Sequence, residues 1–215
     1  MTNSNPQEEQ VNPKNILAKV ITSPKEAFLF IDSYKYNKHA TFLLILSGII
    51  KAFDKAESKS MGDHLSIWGV IGFSIVIGVL FGWIVNYIYA FVVSKTGKYL
   101  NGKANTESIL RILAYSLTPA VISIIILFIR ILIYGNSIFQ SDSVYSYGEL
   151  NTILSYFFIF LDLFLISWSL VLFVIGISIT QKFSIGKSIV NIVSPAILIM
   201  VIAFTLYFLA DLFIH

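Results

Sequence analysis

Apolar residues fall in long runs separated by short polar stretches. Ile67 to Val93, Ile109 to Tyr134, Tyr156 to Ile179 and Ile189 to Ile214 are each long enough, at about 1.5 Å per helical residue, to cross a hydrocarbon layer about 30 Å thick. An earlier run, Ala40 to Ile50, is short on its own and becomes long enough when extended from Tyr34 to Phe53, with Lys38 and Lys51 reaching outward. The pattern predicts an all-α, polytopic membrane protein: a bundle of five transmembrane helices at about 36–53, 67–94, 109–134, 152–180 and 188–214.

Two shorter helices are expected ahead of the first span. Asn12-Pro13 opens one over about 13–22, and Ser23-Pro24-Lys25-Glu26 opens another over 24–35, with Ser23 as cap, Pro24 at the first helical position and Glu26 completing a capping box. Ile16, Leu17 and Val20 share one face; Ala27, Phe28 and Ile31 share another. Such helices are expected to lie in the headgroup region, the alternative being that they pack on protein. Residues 1–11 are polar and predicted to be a disordered tail, leaving 12–215 as a single membrane domain. The tail lacks the layout of a cleavable signal, so the first hydrophobic helix is expected to act as the targeting signal.

Positive charge orients the spans. With five spans and a cytoplasmic N-terminus, Lys14, Lys19, Lys25, Lys35, Lys38, Lys95, Lys98, Lys103, Arg111, Lys182 and Lys187 lie inside, eleven in all, against Lys51, Lys55, Lys59 and Arg130 outside. If the first run does not cross, the asymmetry falls to nine against six, so five spans with the C-terminus outside is the better solution. Composition agrees: the chain is 56% hydrophobic and only 13% charged, whereas an average soluble domain is about 25% charged. The absence of cysteine excludes disulfides, thiolate metal sites and cysteine nucleophiles. With no basic stripe bearing interleaved aromatics, nucleic acid is not an expected partner.

Several polar or special residues stand inside the spans. Asp162 is an intramembrane carboxylate, costly unless paired, and Arg130 near the outer end of the third span could reach it. The pair is open to three readings: a structural ion pair or a carboxyl kept protonated, a proton or ion relay, or an assembly contact. Tyr115, Ser116, Thr118 and Pro119 form a polar patch in the third span, where Pro119 should kink the helix and free the carbonyl of Tyr115. Pro195 sits at comparable depth in the fifth, so that the two kinks could face each other. Asn86 is expected to make an interhelical hydrogen bond, and Gly78 and Gly82, spaced as GxxxG, to mark a helix-packing face. Signatures of hydrolases, metallopeptidases, P-loops and dinucleotide folds are missing, so neither catalytic residue, metal nor cofactor is expected.

The stretch GKYLNGKAN, ESILRIL and AYSLTP resembles the Yip family, named for interaction with Ypt/Rab GTPases. ITSPKEAFLFI and SWSLVLFVIGISITQKFSIGKSIVNIVSP are similar to that family's proline-centred lead-in and its fourth-to-fifth helix connection. An aromatic and a proline in the third helix match Tyr115 and Pro119. The resemblance covers roughly residues 12–214 and implies five helices, a cytoplasmic N-terminus and an outside C-terminus. It is closest to a short member of prokaryotic type in a cell membrane: the N-terminal tail is short and the DLYGP-type sequence of many eukaryotic members is absent, so GTPase binding is not expected. The expected function is that of an integral membrane scaffold or adaptor without catalytic activity. Its partners would be the lipid bilayer and other membrane proteins or further copies of the chain. The alternative is a small transporter or channel using Asp162, Arg130 and the proline kinks, with an intramembrane enzyme third.

Overall fold

An unpaired backbone N–H or C=O costs several kcal/mol in hydrocarbon, so apolar runs of this length must close their hydrogen bonds within a helix. The computed structural model describes residues 13–141 and 149–214, and every regular element among them is helical. The tail predicted at 1–11 lies outside the described residues, as does Asp142 of the polar connection after the third run.

In chain order the α-helices are α1 (Ile16–Thr22), α2 (Pro24–Ser33), α3 (Ala40–Ser58), α4 (Ile67–Tyr99), α5 (Thr106–Ser116), α6 (Thr118–Tyr134), α7 (Glu149–Gln181) and α8 (Ile185–Ile214). Short 3-10 turns stand at Pro13–Asn15, Met61–Asp63 and Gly135–Phe139. Among the described residues four segments are long and apolar enough to cross a membrane: Ile67–Tyr99, Thr118–Phe139, Thr152–Gln181 and Ile185–Asp211. The first expected span, 36–53, begins at Ala40 instead and runs to Ser58, through Lys51, Asp54, Lys55 and Glu57. Lys, Asp and Glu are compatible with a helix interior, so the backbone continues past the end of the apolar run.

The most extensive helix pairing is α3 against α4. The two run antiparallel, and their backbones meet where Gly48 faces Gly78 and Gly82. A Cβ built on Gly48 would stand 2.5 Å from the Gly78 carbonyl oxygen, and one on Gly78 or Gly82 would collide with backbone of Gly48 or Ile49. Only three missing side chains allow this approach. Small residues serve this purpose in lipid, where apolar side chains gain nothing from leaving the surrounding tails.

Packing is concentrated at the two ends of the bundle. At one end Ile16, Val20, Phe28 and Ile31 of α1 and α2 are fully buried among Ile109 and Ile112 of α5 and Leu172 and Ile177 of α7. The amphipathic faces assigned to the headgroup region are therefore covered by protein. An apolar stripe specifies only that something apolar must cover it, and here the nearest cover is α5 and α7. Ser23 also departs from expectation: Pro24 opens α2, but the Ser23 hydroxyl makes no cap bond. Its backbone N–H instead donates to Lys19 O at 2.8 Å and closes α1, so one residue ends one helix and begins the next. Ser184, by contrast, caps α8, accepting from the Lys187 N–H at 3.4 Å.

At the opposite end Phe53 and Ala56 of α3 pack with Val70 of α4 and with Ile138 and Phe139. The turn at Met61–Asp63 is tied there by Asn136 Nδ2 donating to Gly62 O at 3.0 Å and Ser141 N donating to Asp63 Oδ1 at 3.1 Å.

The basic hinge between α4 and α5 is pinned from behind. Gln181, almost wholly buried at the end of α7, accepts from the Ala104 N–H at 2.9 Å, while Asn191 of α8 donates to Val93 O and to Thr96 Oγ1, both at 2.9 Å. Beyond the buried Pro195, every residue of α8 from Ala196 to Ala210 is exposed, so this half of the helix stands away from the bundle.

The seam yields a matched pair of substitutions. Gly82→Ala should destabilise the protein by about 1–3 kcal/mol, because the methyl meets backbone that cannot rotate away. Gly72→Ala, on the same helix with open space around it, should instead gain up to about 1 kcal/mol from helix propensity. Reversible unfolding in mixed micelles measures both signs.

Candidate membrane-embedded site

The third apolar run is broken into α5 and α6 at Leu117, and the break is a direct result of sequence. Pro119 has no N–H to give the carbonyl of Tyr115. The hydroxyl of Thr118 takes that place, donating to Tyr115 O at 2.7 Å. One residue further, the Ala120 N–H would reach Ser116 O in an unbroken helix; it donates instead to Ser169 Oγ of α7 at 3.0 Å. The start of α6 is thus capped by a neighbouring helix, which fixes the separation of the two at this level. The same local chemistry recurs in α8, where Ser194 precedes Pro195 and donates to the freed Asn191 carbonyl at 2.6 Å.

Between the two packed ends lies a partly open cavity of about 550 Å³. α3 contributes Ser47, Ile50, Lys51 and Asp54, and α4 contributes Val85, Asn86 and Tyr89. The α5–α6 break supplies Ser116, Leu117 and Ala120, and α6 continues the wall through Ser123, Leu127 and Arg130. The remaining wall is α7, with Asp162, Ile166, Ser169, Leu170 and Phe173.

The seam of α3 and α4 carries a chain of hydrogen bonds into this space. Lys51 Nζ donates to Asn86 Oδ1 at 2.9 Å, Asn86 Nδ2 donates to Ser47 Oγ at 3.1 Å, and Ser47 Oγ donates to Leu44 O at 2.9 Å. Asn86 is buried, and both ends of its amide are satisfied across the helix interface. Arg130 does not pair with Asp162. Its Nη2 is 2.6 Å from Glu57 Oε1 of α3, a carboxylate in the charged turn beyond the apolar run. Helix register explains the difference: Glu57 lies on the α3 face turned toward α6 and stands within reach of a guanidinium near the end of that helix. Asp162 remains on the cavity wall, and its buried Oδ1 has no hydrogen-bond partner among the described residues.

The predicted residues therefore divide into three groups. Asp162, Arg130, Asn86 and Ser116 meet on one cavity. Tyr115, Thr118, Pro119 and Pro195 do not line it. Tyr115 is fully buried in the adjoining core, its hydroxyl accepting from His39 N at 3.3 Å and its ring 6.2 Å from that of Tyr36. The two prolines do not form a common pocket, because α8 packs on α4 and α7 whereas α6 packs on α3 and α7. Gly78 and Gly82 lie on the α3–α4 seam. Lys51, Asp54, Ser47 and Ser169 complete the site and were not singled out from sequence; the signal available for the first two was their position one turn apart at the end of an apolar run.

The arrangement can bind. Cationic and anionic groups face a space whose remaining walls mix apolar side chains with a few hydroxyls and an amide, a combination suited to holding a small molecule with both characters. Among the described residues no three His, Cys, Asp or Glu side chains come together as a metal-ligand set.

Ser169→Ala should cost about 1 kcal/mol, since the half-buried N–H of Ala120 then loses its acceptor. Unfolding in mixed micelles gives the stability, and amide exchange at Ala120 should accelerate in the variant while that at Val70 stays unchanged.

Neither a curated protein nor a solved structure matches the chain. A family model described as the Yip1 domain matches residues 18–207, a range that takes in α2 through most of α8 and both proline breaks. The chain is a multi-pass membrane protein that belongs to the Yip1-domain family.

Proposed function

We propose that the protein is a five-span, non-enzymatic membrane scaffold whose N-terminus is cytoplasmic and whose C-terminus lies outside. The observation that carries the scaffold reading is the distribution of packing: α1, α2 and α5 form a dense platform at the end that bears most of the lysines, while the outer half of α8 presents an apolar surface to the bilayer. A rigid base with an unoccupied apolar helix is suited to holding other membrane proteins, or further copies of the chain, in place. The fifth span is α3. Its backbone contact with the middle of α4 supports that reading, as does its length: at about 1.5 Å per residue its 19 residues extend about 28 Å. The four charged side chains in its second half face the cavity or the outer end.

A second reading, a small transporter, is favoured by one observation: the cavity collects Lys51, Asp54, Arg130 and Asp162 at membrane depth beside a broken helix.

One measurement tests the topology and a second separates the two readings. Single cysteines at Asn3 and His215 should be labelled by impermeant maleimide from opposite sides; labelling from the same side would rule out an odd number of spans. Proteoliposomes containing the wild type should show the same ion and solute leak as those containing Asp162→Asn, and a flux lost on that substitution would replace the scaffold reading with transport.

A further inference from the structure

We propose that the cavity is a binding site for the headgroup of an aminophospholipid, which enters sideways from the bilayer between α4 and α7. This goes beyond the scaffold and transport readings and requires only that the helices be embedded in lipid.

The charges set the chemistry. Arg130 is already tied to Glu57, which leaves Lys51, Asp54 and Asp162 as the charged groups facing the cavity without a partner of opposite sign within ion-pair distance among the described residues. Lys51 gives one N–H to Asn86 and keeps two for an incoming acceptor. Asp162 lines the cavity wall, and its Oδ1, buried in that wall, has no hydrogen-bond donor among the described residues. A charged side chain at this depth is costly when it faces hydrocarbon. A phosphodiester on Lys51 with a primary ammonium on the two carboxylates would satisfy all three at once. The ammonium must be primary, because its three N–H donors match carboxylate acceptors, whereas a quaternary ammonium offers none and is recognised by aromatic cages instead. An anionic headgroup without an amine could offer the carboxylates hydroxyl donors but no compensating positive charge.

The route of entry follows from the packing. α4 and α7 meet through the rings of Tyr89 and Phe173, 6.0 Å apart, and do not pack along their length on the cavity side of that contact. Tyr89 is held there by its hydroxyl, which donates to Ile192 O of α8 at 2.9 Å, so this pair forms the floor. Past the floor α8 has left the bundle. Val85, Ile166 and Leu170 each line the cavity and are also more than half exposed on the outer surface. Cavity wall and lipid-facing surface are therefore continuous at this gap, and acyl chains can lie against the rim while the headgroup reaches the charges. A volume of about 550 Å³ is within the roughly 300–1,000 Å³ typical of small-molecule sites.

The test uses the full chain in nanodiscs containing equal amounts of phosphatidylethanolamine, phosphatidylcholine and phosphatidylglycerol, with bound lipid read by native mass spectrometry. Phosphatidylethanolamine should be retained at least fivefold over either competitor. Asp162→Asn and Lys51→Met should each reduce that preference to less than twofold. Ile166→Trp, which narrows the mouth without touching a charge, should lower total retention, and Ile199→Trp on the exposed half of α8 should leave it unchanged. The wild type retaining all three lipids equally would overturn the proposal, as would a preference that survives in both charge variants. Displacement of the lipid by millimolar glycerophosphoethanolamine would assign the site to a soluble amine phosphate and overturn the lipid assignment. If a charge variant fails to fold, the wild-type preference and the Ile166→Trp result still decide the matter.

Discussion

The backbone contact of Gly48 with Gly78 and Gly82 governs how the remaining helices are placed. In lipid there is little hydrophobic gain from pairing two apolar helices, so the closeness of backbones has to supply it through dispersion and polar bonds. Once α3 lies this near α4, Ser47 and Lys51 fall within reach of Asn86, and the resulting hydrogen bonds lock the register of the pair. The same register sends Glu57 toward Arg130 and so draws α6 against the far end of α3. One wall of the cavity and the position of the opposite wall thus depend on three residues that have no side chains.

The second constraint is the cost of a proline in a helix within hydrocarbon. Both proline sites solve it with the residue just before the proline, whose hydroxyl bonds the carbonyl that the ring leaves open. The two outcomes differ. In α8 the helix continues through Pro195, whereas at Pro119 the next N–H is taken by Ser169 of another helix and the run divides. A local repair becomes a break when a neighbour offers a better-placed acceptor.

Much of this was legible in the sequence, and the limits have physical causes. The long spans followed from run length, the disturbance at the end of α5 from Pro119, and the packing face from the spacing of Gly78 and Gly82. Gly48 was not legible, because a single small residue in an apolar run has no spacing to mark it, and its importance exists only once a partner lies opposite. The amphipathic stripes of α1 and α2 were visible, but a stripe does not reveal whether lipid or protein will cover it. Arg130 was matched to Asp162 on depth alone. Depth can be counted along a sequence; the direction in which a side chain leaves its helix relative to a third helix cannot. Ser169 and Gln181 escaped for a related reason, since each accepts from a backbone N–H far away in the chain, a partner that no sequence motif marks.

Past Pro195 the exposed half of α8 has little in the bundle to dictate its inclination, and the hydrophobic thickness of the surrounding bilayer is left to set it. A thin membrane would tilt this arm and a thick one would straighten it, while the core tied by Asn191 stays still. The gap between α4 and α7 lies beside the base of that arm. The inclination of the arm would then decide how far it shelters that gap, so that one chain would present a more or less covered mouth in different bilayers while the packing of α4 and α7 stays the same.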